Sequence, residues 1–383
     1  MLSHYTHSTG NNTNWRATLS SKPFELPIEK LPVIELKGSY SQIGQQFGEA
    51  CRSQIHDLYK VRMSAALEHA AERGRTFTEE QALDLLKSCT PIIKDFDKNT
   101  YEETRGIAQG ADLNIEQILM LQGLTDYRDV LSWGKIADGF GCTSMIVSRE
   151  RSENGKLILA QNWDLGTTNM PYVCFVIRHP DDAPSSYNLT VAGGLSLIGL
   201  NSEGIAIGTN NIKSTDSKPG VHYLNLIHKA MQLSTHEQVK DMITNATRSG
   251  AHYFLFGDKK GEYSGLECTA TKHAEITSKD GIVTHCNHIL TSELKSLEAE
   301  DMGESTCHRQ LRVDELVKNG FLSVNKIKQI LSDRDGDELS ICRHSDDAGI
   351  STNASIIIEP EAGLIHACRS QPHLGEWKTF KVF

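Results

Sequence analysis

The stretch that most limits what this chain can fold into runs from Gly141 to Asp164. A small-residue turn, Asp138-Gly139-Phe140-Gly141, leads directly into Cys142-Thr143-Ser144 and a β-branched run ending at Ser148. A polar turn holding Asn154-Gly155 then separates that run from Leu157-Ile158-Leu159-Ala160. Asn-Gly between apolar runs predicts a β-hairpin, because the turn needs positive φ. Such a hairpin brings Gln161-Asn162-Trp163-Asp164 back alongside Cys142. Which of these side chains shares a face with the thiol depends on register, since a slip of one residue reverses every side chain.

The chain changes character around this hairpin. Residues 1–28 are rich in Ser, Thr and Asn and read as a loose arm. Residues 29–141 read as a mainly helical segment. Ser39-Tyr40-Ser41-Gln42 is a capping box before a helix with Ile43, Phe47, Cys51, Ile55 and Leu58 on one face. Thr78-Glu79-Glu80-Gln81 starts a second helix, and Asn114-Ile115-Glu116-Gln117 a third that runs towards Leu131. Gly106, Gly110 and Gly123 supply stops or close contacts. Residues 142–383 alternate short β-branched runs with helical stretches, the pattern of a layered α/β sandwich. The segment closes with a strand pair, 354–358 and 364–368, turned at Glu361-Ala362-Gly363. No repeat or linker separates the two segments, so they are expected to pack as one unit. The 383 residues, 38% hydrophobic, suffice for one large core.

Composition excludes several classes of function. A net charge of −10 argues against a nucleic-acid partner. No run approaches the roughly 20 apolar residues of a membrane span. The polar start, Met1-Leu2-Ser3-His4, lacks the pattern of a secretory signal. Nine cysteines without CxxC pairs fit a reducing compartment, so a cytoplasmic location is expected. There is no nucleotide-binding fingerprint and no GxSxG. Asp333-Arg334-Asp335-Gly336-Asp337 lacks the later ligands of a calcium loop and reads as an acidic turn. Neither cofactor nor metal is expected.

Four places could carry chemistry. Most free cysteines are small buried hydrophobes. Cys142 differs in context: Gly139 and Gly141 leave the preceding carbonyl open, and Thr143 and Ser144 offer hydroxyls. The expected self-reaction is attack of its sulfur on the Gly141 carbonyl, an N-to-S acyl shift, and hydrolysis of the thioester. That frees an α-amino group of pKa near ~7.7–8.0, a base built into the nucleophile's own residue. Asp164 is the candidate carboxylate to orient and tune the pair. In Thr284-His285-Cys286-Asn287-His288, Asn287 is the candidate oxyanion donor. The rival there is a zinc site of His285, Cys286 and His288, whose adjacent ligands converge poorly. Arg309, near a helix start, is either solvated or paired with Asp164 or a substrate carboxylate.

Together these segments resemble the acyl-coenzyme A:isopenicillin N acyltransferase family of self-processing N-terminal nucleophile cysteine hydrolases, which is close to the choloylglycine hydrolases. The resemblance is carried by Leu36-Lys37-Gly38-Ser39-Tyr40 with Gly44 and Gly48, and by Glu103-Thr104-Arg105-Gly106-Ile107-Ala108-Gln109-Gly110. It continues through Gly141-Cys142-Thr143, Gln161-Asn162-Trp163-Asp164, Asn201-Ser202-Glu203-Gly204, the 284–288 stretch and Ser340-Ile341-Cys342-Arg343-His344. It implies a four-layer αββα sandwich and a cut between Gly141 and Cys142, giving segments of 141 and 242 residues that stay associated. Cys142 then looks like the nucleophile, Asp164 its orienting acid, Asn287 the oxyanion donor and Arg309 the site arginine. Thr143, Ser144, Asn162 and Asn201 are expected in support. Gln161 replaces the arginine of bile-salt enzymes, which argues against that substrate. The implied substrate is a small N-acyl amine or amino-acid conjugate. Hydrolysis is favoured over transfer, and acyl-coenzyme A enters only as a substrate of a transferase. A homo-oligomer is left open, as is a non-catalytic binding protein on the same fold.

Overall fold

The computed structural model describes residues 27–383 apart from 73, 124, 127–140, 279, 300–302 and 345–348. The expected arm, save its last two residues, and the Asp138-Gly139-Phe140 turn therefore lie outside the described residues, as does the stretch between 127 and Leu131.

Two sheets form the middle of the molecule. The larger has the order β1 (Val33–Gly38), β4 (Val173–Pro180), β5 (Ser186–Val191), β6 (Ile198–Asn201), β7 (Ala206–Asn211), β8 (His252–Gly257), β9 (Tyr263–Cys268) and β10 (His273–Ile276). The smaller runs β11 (Ile282–His285), β2 (Gly141–Val147), β3 (Ile158–Gly166), β12 (Ile350–Glu359), β13 (Leu364–Arg369) and β14 (Lys378–Lys381). Alternation along the hairpin strands sorts side chains between two cores. Ile146 and Leu159 join the core shared with Ile198, Ile207 and Leu255 of the other sheet. Met145, Val147, Ile158 and Ala160 pack instead on Val313 and Val317 of α9 (Glu304–Val317) and Ile327 and Ile330 of α10 (Val324–Leu331). Helices α1 (Tyr40–Ala50), α2 (Arg52–Ala71), α5 (Lys98–Ala111), α7 (Tyr223–Ala230) and α8 (His236–Asn245) cover the larger sheet, with α3 (Glu79–Lys87), α4 (Cys89–Phe96) and α6 (Ile115–Gln122) packed among them. The result is the expected four-layer αββα sandwich.

Local rules explain most of the element starts. Ser39, Thr78 and Asn114 each cap their helix through the expected boxes with Gln42, Gln81 and Gln117. The expected first helix is two: the chain breaks at Cys51, while Ile43, Phe47, Cys51, Ile55 and Leu58 remain fully buried. The third helix stops at Gln122, with Gly123 at its end. Gly106 and Gly110 end nothing. They lie within α5, where a Cβ on Gly106 would sit 2.3 Å from Ser41 O and one on Gly110 2.2 Å from Gln45 O. Gly44 and Gly48 of α1 face them with equal closeness. Four hydrogens in place of side chains let the two backbones touch.

One element of the first segment departs from helix. Strand β1 lies parallel to β4, Val33 opposite Phe175, on the edge of the larger sheet. The first segment thus contributes a strand to the second. Fully buried Glu103 of α5 adds a polar tie, accepting from Arg178 Nε at 2.8 Å and lying 3.1 Å from His228 Nε2. Among the described residues no helix is long and apolar enough to cross a membrane.

Candidate active site

The register of β2 and β3 sets the site. Cys142 stands opposite Trp163, Thr143 opposite Asn162 and Gly141 opposite Asp164. Opposite residues of an antiparallel pair share a face. The Cys142 thiol and Trp163 therefore face the other sheet, while Thr143, Asn162 and Asp164 face the helix layer. The loop between the strands is longer than a two-residue turn, and its Gly155 adopts the expected positive φ of 66°.

Side chains grip both backbone groups of Cys142. Its N–H donates to Asn287 Oδ1 at 2.8 Å. Its carbonyl accepts from Arg309 Nη1 at 2.5 Å. The same guanidinium donates to Thr143 Oγ1 at 3.1 Å, to Asn287 Oδ1 at 2.9 Å and, through Nε, to Ser305 Oγ at 3.2 Å. Arg309 is only 1% exposed, so these bonds are formed away from water, where charge-assisted donors are strongest. Two donors converge on Asn287 Oδ1, which fixes that amide's orientation, and its Nδ2 donates to Asn211 O at 2.8 Å. Asn287 thus holds the nitrogen of Cys142. The glycine before the cysteine has its own cause here. A Cβ on Gly141 would lie 2.7 Å from Arg309 Nη2 and 3.3 Å from Asn287 Oδ1.

Asp164 sits behind this array. Its Oδ1 accepts from Thr352 Oγ1 of β12 at 2.7 Å, and its Oδ2 is buried without a hydrogen-bond partner among the described residues. Burial raises its carboxyl above the usual range, against the lowering fields of Arg309 and Arg343 and the Thr352 bond. Instead of bonding to this carboxylate, Arg309 spends its fork on Cys142, Thr143 and Asn287. Burial likewise pushes the Cys142 thiol up to about 12, the Asp164 charge adding to the shift while the Asp164 backbone N–H, Arg309 and Gln161 oppose it. At neutral pH Cys142 therefore carries a thiol, not a thiolate.

The remaining expected residues divide. Ser144 donates to His285 O at 3.3 Å beside the site. Asn162 ties β3 to Leu331 O and Ile341 O and accepts from Ser355 Oγ, a bracing role on the helix side. Asn201 is not brought to Cys142: it organises the β6–β7 turn by accepting from Glu203 N and Ile205 N and bonding Met231 O. Gln161 staples the two sheets, donating to Thr209 O and accepting from Thr209 N–H at 3.1 Å. Gly208 leaves it the room, since a Cβ there would lie 2.6 Å from Gln161 Oε1. His285 faces Glu267 at 2.9 Å and Cys286 O at 2.7 Å, so the ligand types of that stretch point apart. Among the described residues no three metal-ligating side chains gather.

A small cavity opens beside Cys142, lined also by Thr125, Trp163, Leu197, Thr209, Asn211, Tyr223 and His252. Sequence reasoning missed Thr125, Thr352, Asn211, Tyr223 and His252. Thr352 could be found only from the β3–β12 register, and the others carry no local motif.

The family model of acyl-coenzyme A:6-aminopenicillanic acid acyl-transferases matches residues 150–374. The chain belongs to this family. The span of the acyl-transferase match contains Asp164, Asn287, Arg309 and Thr352 and begins just after Cys142. A relative from Emericella nidulans, described as the 40 kDa form of acyl-coenzyme A:6-aminopenicillanic-acid-acyltransferase, is 23% identical over 312 residues, 81% of this chain and 84% of that protein. An uncharacterized protein of Archaeoglobus fulgidus is 21% identical over 346 residues, 78% of this chain but 57% of that protein. Among solved structures, a mutant of conjugated bile acid hydrolase from Clostridium perfringens aligns with a TM-score of 0.41 at 14% identity, over 62% of this chain and 96% of that one. Thermostable penicillin G acylase from Alcaligenes faecalis aligns at 0.35 and 10% identity, over 49% and 51%.

Proposed function

We propose that the chain is a self-processing cysteine enzyme of the acyl-transferase family. It would cut its own Gly141–Cys142 bond and then attack the amide of a small N-acyl amine or amino-acid conjugate. The supporting observation is the double grip on Cys142: a buried arginine and an asparagine are committed to the backbone N–H and C=O of one residue whose side chain borders a cavity. A cysteine that only filled space would need neither.

Processing begins with Sγ of Cys142 bonding to the Gly141 carbonyl carbon. The C–N bond breaks as the acyl group moves to sulfur, and water releases the Gly141 carboxylate. The new α-amino group stays where Asn287 Oδ1 already receives that nitrogen. As the base within the nucleophile's own residue, it takes the thiol proton in each later turnover. The thiolate attacks the substrate carbonyl, the amine leaves with a proton, and the Cys142 thioester passes its acyl group to water. Arg309 keeps the Cys142 carbonyl fixed throughout, which holds the sulfur in attacking position. A second reading, transfer of the acyl group from acyl-coenzyme A, draws on the description of the Emericella nidulans relative.

The test is the denatured intact mass of the protein beside a Cys142→Ala variant, followed by a panel of N-acyl amines with and without acyl-coenzyme A. Two fragments of 141 and 242 residues, an uncut variant and amine release without coenzyme A are the expected results. One full-length mass for both proteins overturns the processing step. Product formation that depends on acyl-coenzyme A replaces hydrolysis by transfer.

A further inference from the structure

Two residues of the Cys142 cavity wall, Tyr223 and His252, come from separate elements of the second segment, yet a carboxylate of the first segment sets both. Asp126 is 1% exposed and stands 16 positions before Cys142. Its Oδ1 lies 2.9 Å from His252 Nε2, and its Oδ2 accepts from Tyr223 N–H at 2.7 Å. The Tyr223 and His252 rings stack at 4.3 Å and 17°. Room for the carboxylate is provided in the second segment: a Cβ on Gly250 would meet Asp126 Oδ1 at 2.5 Å. The neighbouring Thr125 lines the cavity itself. Gln122 Nε2 anchors the same stretch by donating to Gly193 O at 3.1 Å.

We infer that Asp126 is a positioning residue of the substrate site, so the segment before the cut supplies part of the working cavity and not only a removable leader. The inference rests on the reading of Cys142 as the amide-cleaving nucleophile. One carboxylate oxygen sets the ring plane of His252, and the other sets where α7 begins and hence where Tyr223 lies. A substrate held on Cys142 meets that stacked pair across the cavity. Replacing Asp126 by Asn keeps its volume but leaves one acceptor for two N–H donors. The wall then loses one of its two fixed points while Cys142, Asn287 and Arg309 stay as they are.

The experiment uses the full-length protein with an N-acyl amine that the wild type turns over and Cys142→Ala does not. Asp126→Asn is expected to raise KM about tenfold, with kcat per active site changed by less than threefold, active sites being counted by thiol titration. Gly250→Ala, which pushes on the same oxygen from the other segment, is expected to give the same split. The double variant should be no worse than either single one, because both remove one contact. A purely structural role would lower the number of active sites and leave KM alone, and that result overturns the inference, as does an unchanged KM. If Asp126→Asn does not fold, Gly250→Ala decides by the same KM criterion. Wild-type protein with no Cys142-dependent amide cleavage overturns the inference and the underlying reading together, whereas an unchanged KM overturns the inference alone.

Discussion

Replacing Gly141 by alanine adds one methyl group where the structure has no space. The new carbon would lie 2.7 Å from Arg309 Nη2 and 3.2 Å from Arg309 Cζ, against ordinary contacts of about 3.5 Å, so the guanidinium must retreat by about 0.8 Å. The end of a long side chain often moves freely, but this one is buried and donates to four acceptors: Cys142 O, Thr143 Oγ1, Asn287 Oδ1 and Ser305 Oγ. Displacement weakens the bonds to Cys142 O and Asn287 Oδ1 together, each of a kind worth about 1.5–3 kcal/mol. A combined loss of about 3 kcal/mol from the transition state should slow the proposed self-cleavage by roughly 150-fold, at about 1.4 kcal/mol for each factor of ten. The assay is a mass-spectrometric time course of the full-length chain becoming two fragments. The control is the same substitution in an Arg309→Ala background, where the obstacle is gone and the methyl should cost little beyond the arginine's own loss. In a Cys142→Ala chain, which has no thiol to make the cut, Gly141→Ala should still lower the melting temperature. Processing within about threefold of wild type, or an equal penalty in both backgrounds, refutes the account of why glycine precedes this cysteine.

Three further outcomes are expected. In the uncut fraction at pH 7, iodoacetamide should label the exposed Cys307 well before Cys142, whose thiol is pushed up to about 12, and the order should reverse after the cut; peptide mass mapping reads both. Gly44→Ala places a Cβ 2.1 Å from Glu103 O and should cost about 3 kcal/mol in denaturant titration, at the upper end of overpacking penalties, while a loss under about 0.5 kcal/mol would show that the helices part easily. Arg178 and His228 hold the Glu103 carboxyl well below the usual range in spite of its burial. A depressed folded value means that this stabilisation is complete above the unfolded pKa of about 4.3 and is lost as pH falls through the folded value. Glu103→Gln should flatten that acid limb of stability and cost about 3–5 kcal/mol at pH 7 by leaving Arg178 uncompensated.

What the sequence made legible was mostly local. The capping boxes at Ser39, Thr78 and Asn114, the hairpin strands and the final strand pair each depend on neighbours within a few residues. The candidate site was legible as a set of residue types on motif-bearing turns, and Cys142, Asn287 and Arg309 do meet. Their actual bonds were not legible, because they depend on long-range register. Asp164 faces the helix layer because Cys142 pairs with Trp163, and Thr352 reaches it because β12 pairs with β3. By residue type Arg309 suits either solvent or a carboxylate, yet it holds a backbone carbonyl, which composition cannot signal. Strand β1 was hidden because a single short edge strand before a strong helix start leaves little periodic trace. Asp126 carries no motif, and its meaning comes only from Gly250, Tyr223 and His252 arriving around it.

The position of Cys142 within β2 bears on what a cut there would leave behind. Chain ends are usually the loosest parts of a protein. An end made by opening the Gly141–Cys142 bond would arise inside a finished sheet, between β11 and β3, with its carbonyl already anchored to Arg309. It would inherit the stiffness of an interior residue. The ordering of that terminus would be settled once, while the chain folds, and no substrate molecule would have to supply it again.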